Sequence, residues 1–255
     1  MYQLSNVKVI RDNRTILDID ELTIDPKAFT IVLGHNGSGK STLVNLLANL
    51  VRPDNGEVTL NGEPLFRYSR KDLARQVAYL PQKLPEVAGL NVEELVRLGR
   101  YPWRGLLSRW NMKDKKYIDL ALEQTNIVHS RNFLADELSG GERQRAWIAM
   151  LLAQQSSLMI LDEPTSALDI QYQYQILDLL KCLNQETGKG MIVILHDLNL
   201  AIRYATNVVA LKHGRVAFEG EAKKLLNSDT LSELFSTKVR LINHPNHHSK
   251  VAVIC

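Results

Sequence analysis

The chain has 255 residues, of which 45% are hydrophobic and 23% are charged. This composition is ordinary for a soluble globular protein, and the length allows one large domain or one domain with an inserted subdomain. The 31 basic residues nearly balance the 28 acidic ones, so the charge does not favour a nucleic acid as a partner.

The sequence carries no signal that directs the chain into or across a membrane. No apolar run approaches the roughly 18 uninterrupted residues of a membrane-spanning helix. The first residues also lack the basic start and apolar stretch of a signal peptide. The two cysteines, Cys182 and Cys255, fit a reducing compartment and indicate neither a disulfide nor a metal framework. We therefore expect a cytosolic protein that reaches a membrane only through a partner.

Short strands and turns are predicted in the first part of the chain. A glycine-rich loop leads into a predicted helix over 41–50, where apolar residues recur at helical spacing. Asn61-Gly62 predicts a tight hairpin turn. The predicted strands are 3–10, 22–24, 29–33, 57–60, 63–66 and 76–80.

From residue 82 to about residue 155 the pattern becomes mostly helical. Amphipathic helices are predicted at 92–99 and 113–126, and a connection rich in Gly, Pro and Trp joins them at 99–105. Alternation of strands and helices then resumes, which favours a largely parallel sheet with helices on both faces. The later predicted strands are 158–161, 191–195 and 208–211.

The segment Gly34-His-Asn-Gly-Ser-Gly-Lys40-Ser41 matches the phosphate-loop pattern at each fixed position. Glycines let backbone N–H groups turn toward phosphates, Lys40 adds a positive charge, and the Ser41 hydroxyl is suited to ligate Mg²⁺. The helix that begins near Ser41 adds its positive dipole end. The predicted nucleotide-binding residues are Gly34, His35, Asn36, Gly37, Ser38, Gly39, Lys40, Ser41 and Thr42.

A predicted buried strand at 158–161 ends in two acids, Asp162 and Glu163. Asp162 is expected to hold Mg²⁺ through water, and Glu163, on the other side of the strand end, to polarise the attacking water. Two acids at a strand end are otherwise a solvated pair or a helix cap. The phosphate loop in the same chain favours the catalytic interpretation.

The heptapeptide Leu138-Ser-Gly-Gly-Glu-Arg-Gln144 predicts a second phosphate site. Ser139 and Glu142 have the spacing of a capping box at the start of a helix predicted over 140–153. Gly140 and Gly141 leave N–H groups open to an anion at that helix start. Because the chain has two phosphate sites and one set of catalytic carboxylates, we expect two chains to share the nucleotides.

These motifs, with Gln82, Ser166-Ala-Leu-Asp169 and His196, occur in the order and spacing of ABC transporter ATPase subunits, which the chain resembles over nearly its whole length. The resemblance implies an α/β fold, with a P-loop NTPase (RecA-like) core, an antiparallel β subdomain and an inserted α-helical subdomain. It implies a single ABC ATPase domain. Its expected parts are a nucleotide-binding core at 1–82 and 156–220, inserted helices at 83–155 and a C-terminal tail at 221–255.

The resemblance also implies roles that the residues alone do not give. Two copies are expected to pack head to tail, so that each ATP lies between one chain's phosphate loop and the other chain's Ser139, Gly140 and Gly141. Gln82 resembles a ligand of Mg²⁺ and of the attacking water, beside Ser41 and Asp162. Asp169 resembles the residue that bridges the dimer. His196 resembles the switch that contacts the γ-phosphate and steadies Glu163.

Two further segments, Leu98-Gly-Arg-Tyr-Pro-Trp103 and Glu142-Arg-Gln-Arg-Ala-Trp-Ile-Ala-Met150, resemble the ATPases of iron–siderophore importers, most closely those of ferric hydroxamate uptake. The resemblance implies a peripheral subunit on the cytoplasmic face of the inner or plasma membrane that hydrolyses ATP to power siderophore uptake. It implies integral membrane permease subunits as partners and, indirectly, a periplasmic or lipoprotein siderophore-binding protein. Tyr101-Pro-Trp103 is either a contact with the membrane subunits or a packed hydrophobic turn.

The chain departs from the family where an aromatic side chain often stacks on adenine. That place falls at Ile10 or Arg11, neither of which is aromatic. The planar guanidinium of Arg11 is the candidate for stacking.

The tail contains His244, His247, His248 and Cys255. Their spacing differs from the paired spacing of a structural zinc site, so we predict no metal site in the tail.

The sequence leaves other functions open. The cargo of an importer ATPase could also be haem, cobalamin or another metal chelate. A soluble ABC ATPase that acts on nucleic acid or ribosomes usually needs paired ATPase halves or a long coiled-coil insert, which this chain lacks. A P-loop kinase would leave the heptapeptide at 138–144 unexplained.

Overall fold

The computed structural model describes residues 1–105, 110–243 and 250–255. The chain divides into two compact units, one made of Met1–Arg67 with Gly190–Cys255 and the other of Tyr68–Lys189. This division uses other boundaries than the predicted insertion at 83–155. The core at 1–82 and 156–220, the insertion and the tail at 221–255 therefore stay predictions.

Strands and helices alternate along most of the described chain. The strands, in chain order, are β1 (Tyr2–Arg11), β2 (Arg14–Ile24), β3 (Phe29–Leu33), β4 (Asn55–Leu60), β5 (Glu63–Pro64), β6 (Val77–Leu80), β7 (Leu158–Leu161), β8 (Gly190–Ile194), β9 (Asn207–Lys212), β10 (Arg215–Glu221), β11 (Val239–Asn243) and β12 (Lys250–Ile254). The α-helices are α1 (Lys40–Leu47), α2 (Arg70–Gln76), α3 (Val92–Leu98), α4 (Met112–Gln124), α5 (Gly140–Ala153), α6 (Ile170–Thr187), α7 (Leu198–Tyr204), α8 (Ala222–Leu225) and α9 (Ser228–Phe235).

In the first unit, an antiparallel sheet has the strand order β2-β1-β4-β5. Asp12 and Asn13 join β1 to β2 with φ values of 49° and 59°, the conformation that a two-residue hairpin turn requires. Asn61 and Gly62 make the second hairpin turn, between β4 and β5, with φ values of 55° and 81°. The predicted turn at Asn61-Gly62 is therefore confirmed.

The buried strand β3 lies at the centre of the second group of strands in the first unit. It pairs in parallel with β8 and with β9, and β10 pairs with β9 in the antiparallel direction. All five residues of β3 are buried, as are all five of β8. Strands covered on both faces read as continuous apolar runs, which is the pattern seen in their sequences.

The second unit is mostly helical and contains one parallel pair of strands. β6 pairs with β7 so that Leu80 lies opposite Leu161. Gln82, just after β6, and Asp162, directly after β7, therefore lie at the same end of the strand pair. α3 and α4 both pack against α5, the helix that begins at the predicted second phosphate site.

The α/β fold class is confirmed: parallel and antiparallel strands and a helical segment are all present. The strands at 29–33 and 158–161 and the helix at 140–153 begin and end where predicted.

Other predicted boundaries were wrong. A 3₁₀ turn at Leu65–Arg67 ends the predicted strand 63–66 after Pro64, and β2 begins at Arg14 rather than at Leu22. The helix α2 was not predicted, because Leu73 is its one buried residue and the sequence has no apolar stripe there.

Within the described ranges, the helices are too short or too polar to cross a membrane. The same ranges contain no group of three or more His, Cys, Asp or Glu side chains that could hold a metal ion. Cys182 and Cys255 are free, exposed thiols. His244, His247 and His248 lie outside the described residues.

Candidate functional site

The glycine-rich loop joins the buried strand β3 to the helix α1. Gly39 stands at the N-cap of α1 with φ of 100°, a conformation that suits glycine because it has no Cβ. Among the described residues no side chain caps this helix start, and its first turn has no acid. No side-chain cap or acid in the described chain therefore competes with an anion at this helix start, which the helix dipole also favours.

The ammonium group of Lys40 lies inside the loop. Its side chain is 5% exposed, and Nζ donates to the carbonyl oxygens of Gly34 (2.8 Å) and His35 (3.0 Å). A buried cation held by the loop's own carbonyls concentrates positive charge at the start of α1. This arrangement suits a polyphosphate.

The turn between β9 and β10 packs against the phosphate loop. The N–H of Gly214 donates to the carbonyl of Ser38 (3.1 Å), and the N–H of Asp18 donates to the carbonyl of Gly214 (2.8 Å). The imidazole rings of His35 and His213 meet edge to face, with centroids 5.1 Å apart. Asn36, Gly37 and Ser41 remain exposed, and Thr42 is half-buried. These exposed positions form the open side of the loop.

Arg11, the candidate for stacking on adenine, ends the strand β1. Its Nη1 donates to the carbonyl of Ile10 (2.6 Å) and forms an ion pair with Asp54 (3.4 Å). The same Asp54 carboxylate accepts from the N–H of Ile10 (2.7 Å). About half of the Arg11 side chain remains exposed. The guanidinium is thus oriented but still accessible, and its role toward adenine stays a prediction.

Asp162 is buried directly after the strand β7. It is 5% exposed, and its N–H donates to the carbonyl of Leu80 on the neighbouring strand (2.9 Å). Burial, together with the charge of Asp162, raises the pKa of Tyr79 to about 12. The phenol therefore stays neutral, and Asp162 brings its negative charge to a largely water-excluded place.

Glu163 adopts a left-handed backbone conformation with φ of 50°, which is uncommon for a residue other than glycine. Gln82 Nε2 donates to its Oε2 across 2.5 Å. The backbone carbonyl of Glu163 accepts from the N–H (3.2 Å) and the hydroxyl (3.1 Å) of Ser166. Backbone strain of this kind clusters at functional sites and persists where surrounding contacts fix it, as they do at Glu163.

The predicted magnesium ligands match the chemistry of that ion. Ser41 offers a hydroxyl, Asp162 a carboxylate and Gln82 an amide oxygen, and Mg²⁺ prefers hard oxygen ligands such as these. Because the amide NH₂ group of Gln82 points at Glu163, its oxygen is directed away and remains the atom for a cation. The donor set therefore fits Mg²⁺.

A capping box rigidifies the start of α5. Glu142 N–H donates to Ser139 Oγ (3.4 Å), while Ser139 N–H donates to Glu142 Oε2 (3.2 Å). The Ser139 hydroxyl also donates to Glu142 (2.6 Å), and this bond is the main reason that the pKa of Glu142 is lowered. Weaker contacts with His129 and Ser130 act in the same direction, while burial opposes them. The predicted capping box is therefore present.

Gly140 and Gly141 meet residues that the sequence analysis did not single out. A Cβ atom on Gly141 would lie 2.6 Å from the ring of Tyr172, and one on Gly140 would lie 3.6 Å from Leu168. Asp169 stands between these two as the N-cap of α6, and its Oδ1 accepts from the N–H of Tyr172 (3.0 Å). The sequence signal for this cap was Asp169 itself, because Asp is a preferred N-cap residue.

His196 is exposed and lies between the buried strand β8 and the helix α7. The next residue, Asp197, caps α7: its Oδ1 accepts from the N–H groups of Asn199 (2.7 Å) and Leu200 (3.0 Å). The cap fixes the backbone next to His196.

The predicted site residues therefore form three groups. The first unit holds the phosphate loop, Arg11 and His196. In the second unit, Gln82 and Asp162–Glu163 form one group, and Ser139–Gly141 with Asp169 form another. The assembly of the three groups into one catalytic site, and the role of each residue in it, stay predictions.

A lysine-bearing glycine loop at a helix start, together with a buried acid at a strand end, defines the class of P-loop nucleoside triphosphatases. The profile of the ABC transporter family matches residues 17–166, more than half of the chain. The protein belongs to the ABC transporter family and is one of its ATPases.

Two curated relatives are similar over most of their length. The ferric enterobactin transport ATP-binding protein of Escherichia coli is 41% identical over 85% of this chain and 80% of its own. The iron(3+)-hydroxamate import ATP-binding protein of Bacillus subtilis is 38% identical over 94% of this chain and 90% of its own.

Solved structures agree with the fold. An inward-facing ABC transporter assigned to the metal-chelate type superposes with a TM-score of 0.86 at 25% identity, covering 100% of this chain and 97% of the other. A dimeric ATP-binding cassette in a post-hydrolysis state, bound to ADP and Pi, superposes with a TM-score of 0.75 at 29% identity, covering 87% of this chain and 99% of the other.

Proposed function

We propose that the protein is the ATP-hydrolysing subunit of an importer that takes up a ferric siderophore. The proposal rests on sequence identity. About two fifths of the aligned residues are identical, over most of each chain, to those of ATP-binding proteins named for ferric siderophore transport and import. Those two relatives are named for enterobactin and for hydroxamate, so the siderophore class is supported more strongly than one siderophore. We take the hydroxamate type as the specific hypothesis.

In the proposed assembly, two copies enclose two nucleotides. The phosphates of each ATP lie on the loop 34–42, and Lys40 and the N–H groups at the start of α1 neutralise their charge. The capped start of α5 in the other copy, at Ser139–Gly141, covers the γ-phosphate. The dimeric arrangement of a similar cassette bound to ADP and Pi supports this model. The neighbours of Asp169, Leu168 and Tyr172, pack against Gly140 and Gly141. Asp169 itself is proposed to bridge the dimer.

Ser41, Gln82 and Asp162 are the proposed ligands of Mg²⁺. When bound, the ion supplies positive charge to the β- and γ-phosphates. Buried Asp162 contributes the negative charge that draws the cation to the strand end, and Gln82 contributes a neutral oxygen.

Glu163 is the proposed general base. It accepts a proton from the attacking water while the water oxygen bonds to the γ-phosphorus and the bond to the β-phosphate oxygen breaks. The hydrogen bond from Gln82 and the strained backbone fix the position of the carboxylate. His196 is proposed to contact the γ-phosphate, and the cap on α7 restricts its backbone.

The other end of α5 leads to a candidate contact with a membrane permease. Trp103 Nε1 donates to the carbonyl of Gln154 (2.5 Å), and Arg100 Nη1 donates to that of Ala153 (2.7 Å). Tyr101 is 60% exposed and Trp103 is 44% exposed. Exposed aromatic side chains are typical of binding surfaces. We therefore propose that Tyr101-Pro-Trp103 meets the permease on the cytoplasmic face of the membrane, so that movement of α5 reaches the partner.

The shared site is tested with two inactive variants. Ser139→Ala and Lys40→Ala chains should each have little ATPase activity alone. In a mixed dimer, the intact loop of the first variant faces the intact Ser139 of the second, so one working site forms. Recovery of activity on mixing supports the shared site, and no recovery contradicts it.

The cargo and location are tested in cells. Deletion of the gene should abolish growth on one or more ferric siderophores as sole iron source, with hydroxamates among them. The protein should sediment with membranes when its permease is co-expressed. Normal growth on every siderophore, with impaired use of haem or cobalamin, would move the assignment to another chelate. Sedimentation with ribosomes or nucleic acid instead would indicate the soluble class of ABC ATPase.

A further inference from the structure

We infer that Tyr172 is a positioning residue for the nucleotide bound by the other copy: its ring holds the start of α5, at Gly140–Gly141, in the conformation that contacts the partner's ATP. The inference rests on the proposed shared site. Tyr172 lies outside the phosphate loop, the two catalytic acids and the heptapeptide at 138–144.

The contact between Tyr172 and Gly141 is closer than a side chain at residue 141 would allow. A Cβ atom there would lie 2.6 Å from Cδ1, 2.9 Å from Cε1 and 3.2 Å from Cγ of the Tyr172 ring. The ring therefore lies directly on the backbone of Gly141, which is buried. A glycine is needed here for packing as well as for access of the anion, and the aromatic ring fills the space that the glycine leaves.

The ring is fixed from its own side by the first turn of α6. Asp169 Oδ1 accepts from the N–H of Tyr172 (3.0 Å), and the side chain of Gln173 donates to the carbonyl of Leu168 (2.9 Å). Leu168 in turn lies under Gly140. Two residues around one helix cap thus pack against the two glycines of the other helix start, so the conformation of one helix start depends on the other.

This geometry predicts which event depends on Tyr172. Binding of ATP to a single chain uses the loop 34–42, whereas closure of the dimer uses the N–H groups at the start of α5. Loss of the ring removes the surface against which Gly141 packs and lets that helix start fray. Since 38% of Tyr172 is exposed, the substitution removes only part of a buried contact and should leave the chain folded.

The test measures the two events separately in the full chain. Glu163→Gln serves as the background, because slow hydrolysis lets the ATP-bound dimer accumulate. Size-exclusion chromatography gives the ATP concentration at half-maximal dimerisation, and a fluorescent ATP analogue gives the affinity of the monomer. Tyr172→Ala should raise the dimerisation midpoint about tenfold, the share expected of one aromatic packing contact. The affinity of the monomer should stay unchanged.

Two matched variants separate positioning from general damage. Tyr172→Phe keeps the ring and should dimerise at nearly the ATP concentration of the background protein. Tyr174→Ala removes a second tyrosine from the same helix and should leave the dimerisation midpoint in place. If Tyr172→Ala weakens binding to the monomer as much as it weakens dimerisation, or if Tyr174→Ala has the same effect, the positioning role is overturned.

Mixed dimers show which nucleotide Tyr172 serves. The reference is a dimer of one Lys40→Ala chain and one wild-type chain. When the first chain also carries Tyr172→Ala, its altered helix start lies over the one working loop, which belongs to the wild-type chain. The ATPase rate of this dimer should fall below that of the reference dimer. A Lys40→Ala chain paired with a Tyr172→Ala chain keeps an intact helix start over the working loop, and its rate should match that reference. If the first dimer matches the reference and the second falls below it, the inference is contradicted. If the Glu163→Gln background stays monomeric with ATP, the shared site itself fails, whereas normal dimerisation of Tyr172→Ala overturns only the role of Tyr172.

Discussion

Gln82 donates through Nε2 to Oε2 of Glu163 across 2.5 Å, although 81 residues separate the two in the chain. The contact exists because β6 and β7 run in parallel and end together, with Leu80 opposite Leu161. A change in the position of Gln82 therefore reaches the proposed general base directly. The left-handed backbone at Glu163 makes this base sensitive to the contacts that hold it.

Glu163→Gln should keep ATP binding and lose about 10²- to 10⁴-fold in turnover, because an amide cannot accept the proton of the attacking water. Phosphate release measures turnover, and a fluorescent ATP analogue measures binding. Glu186→Gln, on an exposed part of α6, is the control and should leave both unchanged. Near-normal turnover in Glu163→Gln would remove Glu163 from the role of general base.

Lys40→Met should weaken ATP binding about 10- to 100-fold, since it removes the ammonium group that is proposed to form a charge-assisted hydrogen bond with the phosphates. Calorimetric titration with ATP measures the affinity. Lys223→Met, on the exposed face of α8, changes the net charge equally and should bind as the wild type does. Equal loss in both variants would attribute the effect to overall charge instead of to the loop.

Gly141→Ala should lower the free energy of unfolding by about 1–3 kcal/mol, because the new methyl group collides with the ring of Tyr172. In a Tyr172→Ala background the collision is absent, so the same substitution should cost much less. Urea unfolding of the four proteins measures this cycle. Additive effects would show that the ring and Gly141 are not coupled.

Loss of one partner of the buried ion pair between Arg100 and Asp114 should destabilise the second unit strongly. The Nε–Oδ1 distance of the pair is 3.0 Å, and the two side chains are 3% and 5% exposed. Asp114→Asn should lower the free energy of unfolding by about 3–5 kcal/mol, because it leaves the buried guanidinium without its counter-charge.

The exposed ion pair between Arg67 and Glu63 is the control for Asp114→Asn. Glu63→Gln should change the free energy of unfolding by at most about 1 kcal/mol. Similar losses in the two variants, measured by urea unfolding, would contradict the importance of burial for the Arg100 pair.

The capping box predicts a pH dependence of the start of α5. The pKa of Glu142 is lowered in the folded chain, chiefly by the hydrogen bond from Ser139. The folded state therefore favours the carboxylate, and the stabilisation is present above the ordinary pKa of a glutamate. It is lost as the pH falls through the lowered value. Ser139→Ala should move the pKa of Glu142 upward, and carboxyl-carbon NMR titration measures the shift. An unchanged pKa would show that Ser139 is not its main cause.

The sequence by itself determined those features that depend on neighbouring residues. The loop 34–41 has its chemistry in a few consecutive residues. The ends of β3, β7 and α5 were predictable from apolar runs and from the Ser139–Glu142 spacing, because hydrophobic periodicity and capping act over one or two helical turns. The α/β fold followed from the alternation of such elements.

Tertiary structure alone decided which distant residues meet. The hydrogen bond from Gln82 to Glu163 depends on the pairing of β6 with β7, and the fit of Tyr172 on Gly141 depends on the approach of two helix starts. The extent of β2, and the pairing of β11 with β12, likewise depend on strand partners rather than on a local apolar pattern. The contacts of Gln82 with Glu163 and of Tyr172 with Gly141 join elements that are not neighbours in the chain, where the sequence of either partner leaves the other unspecified.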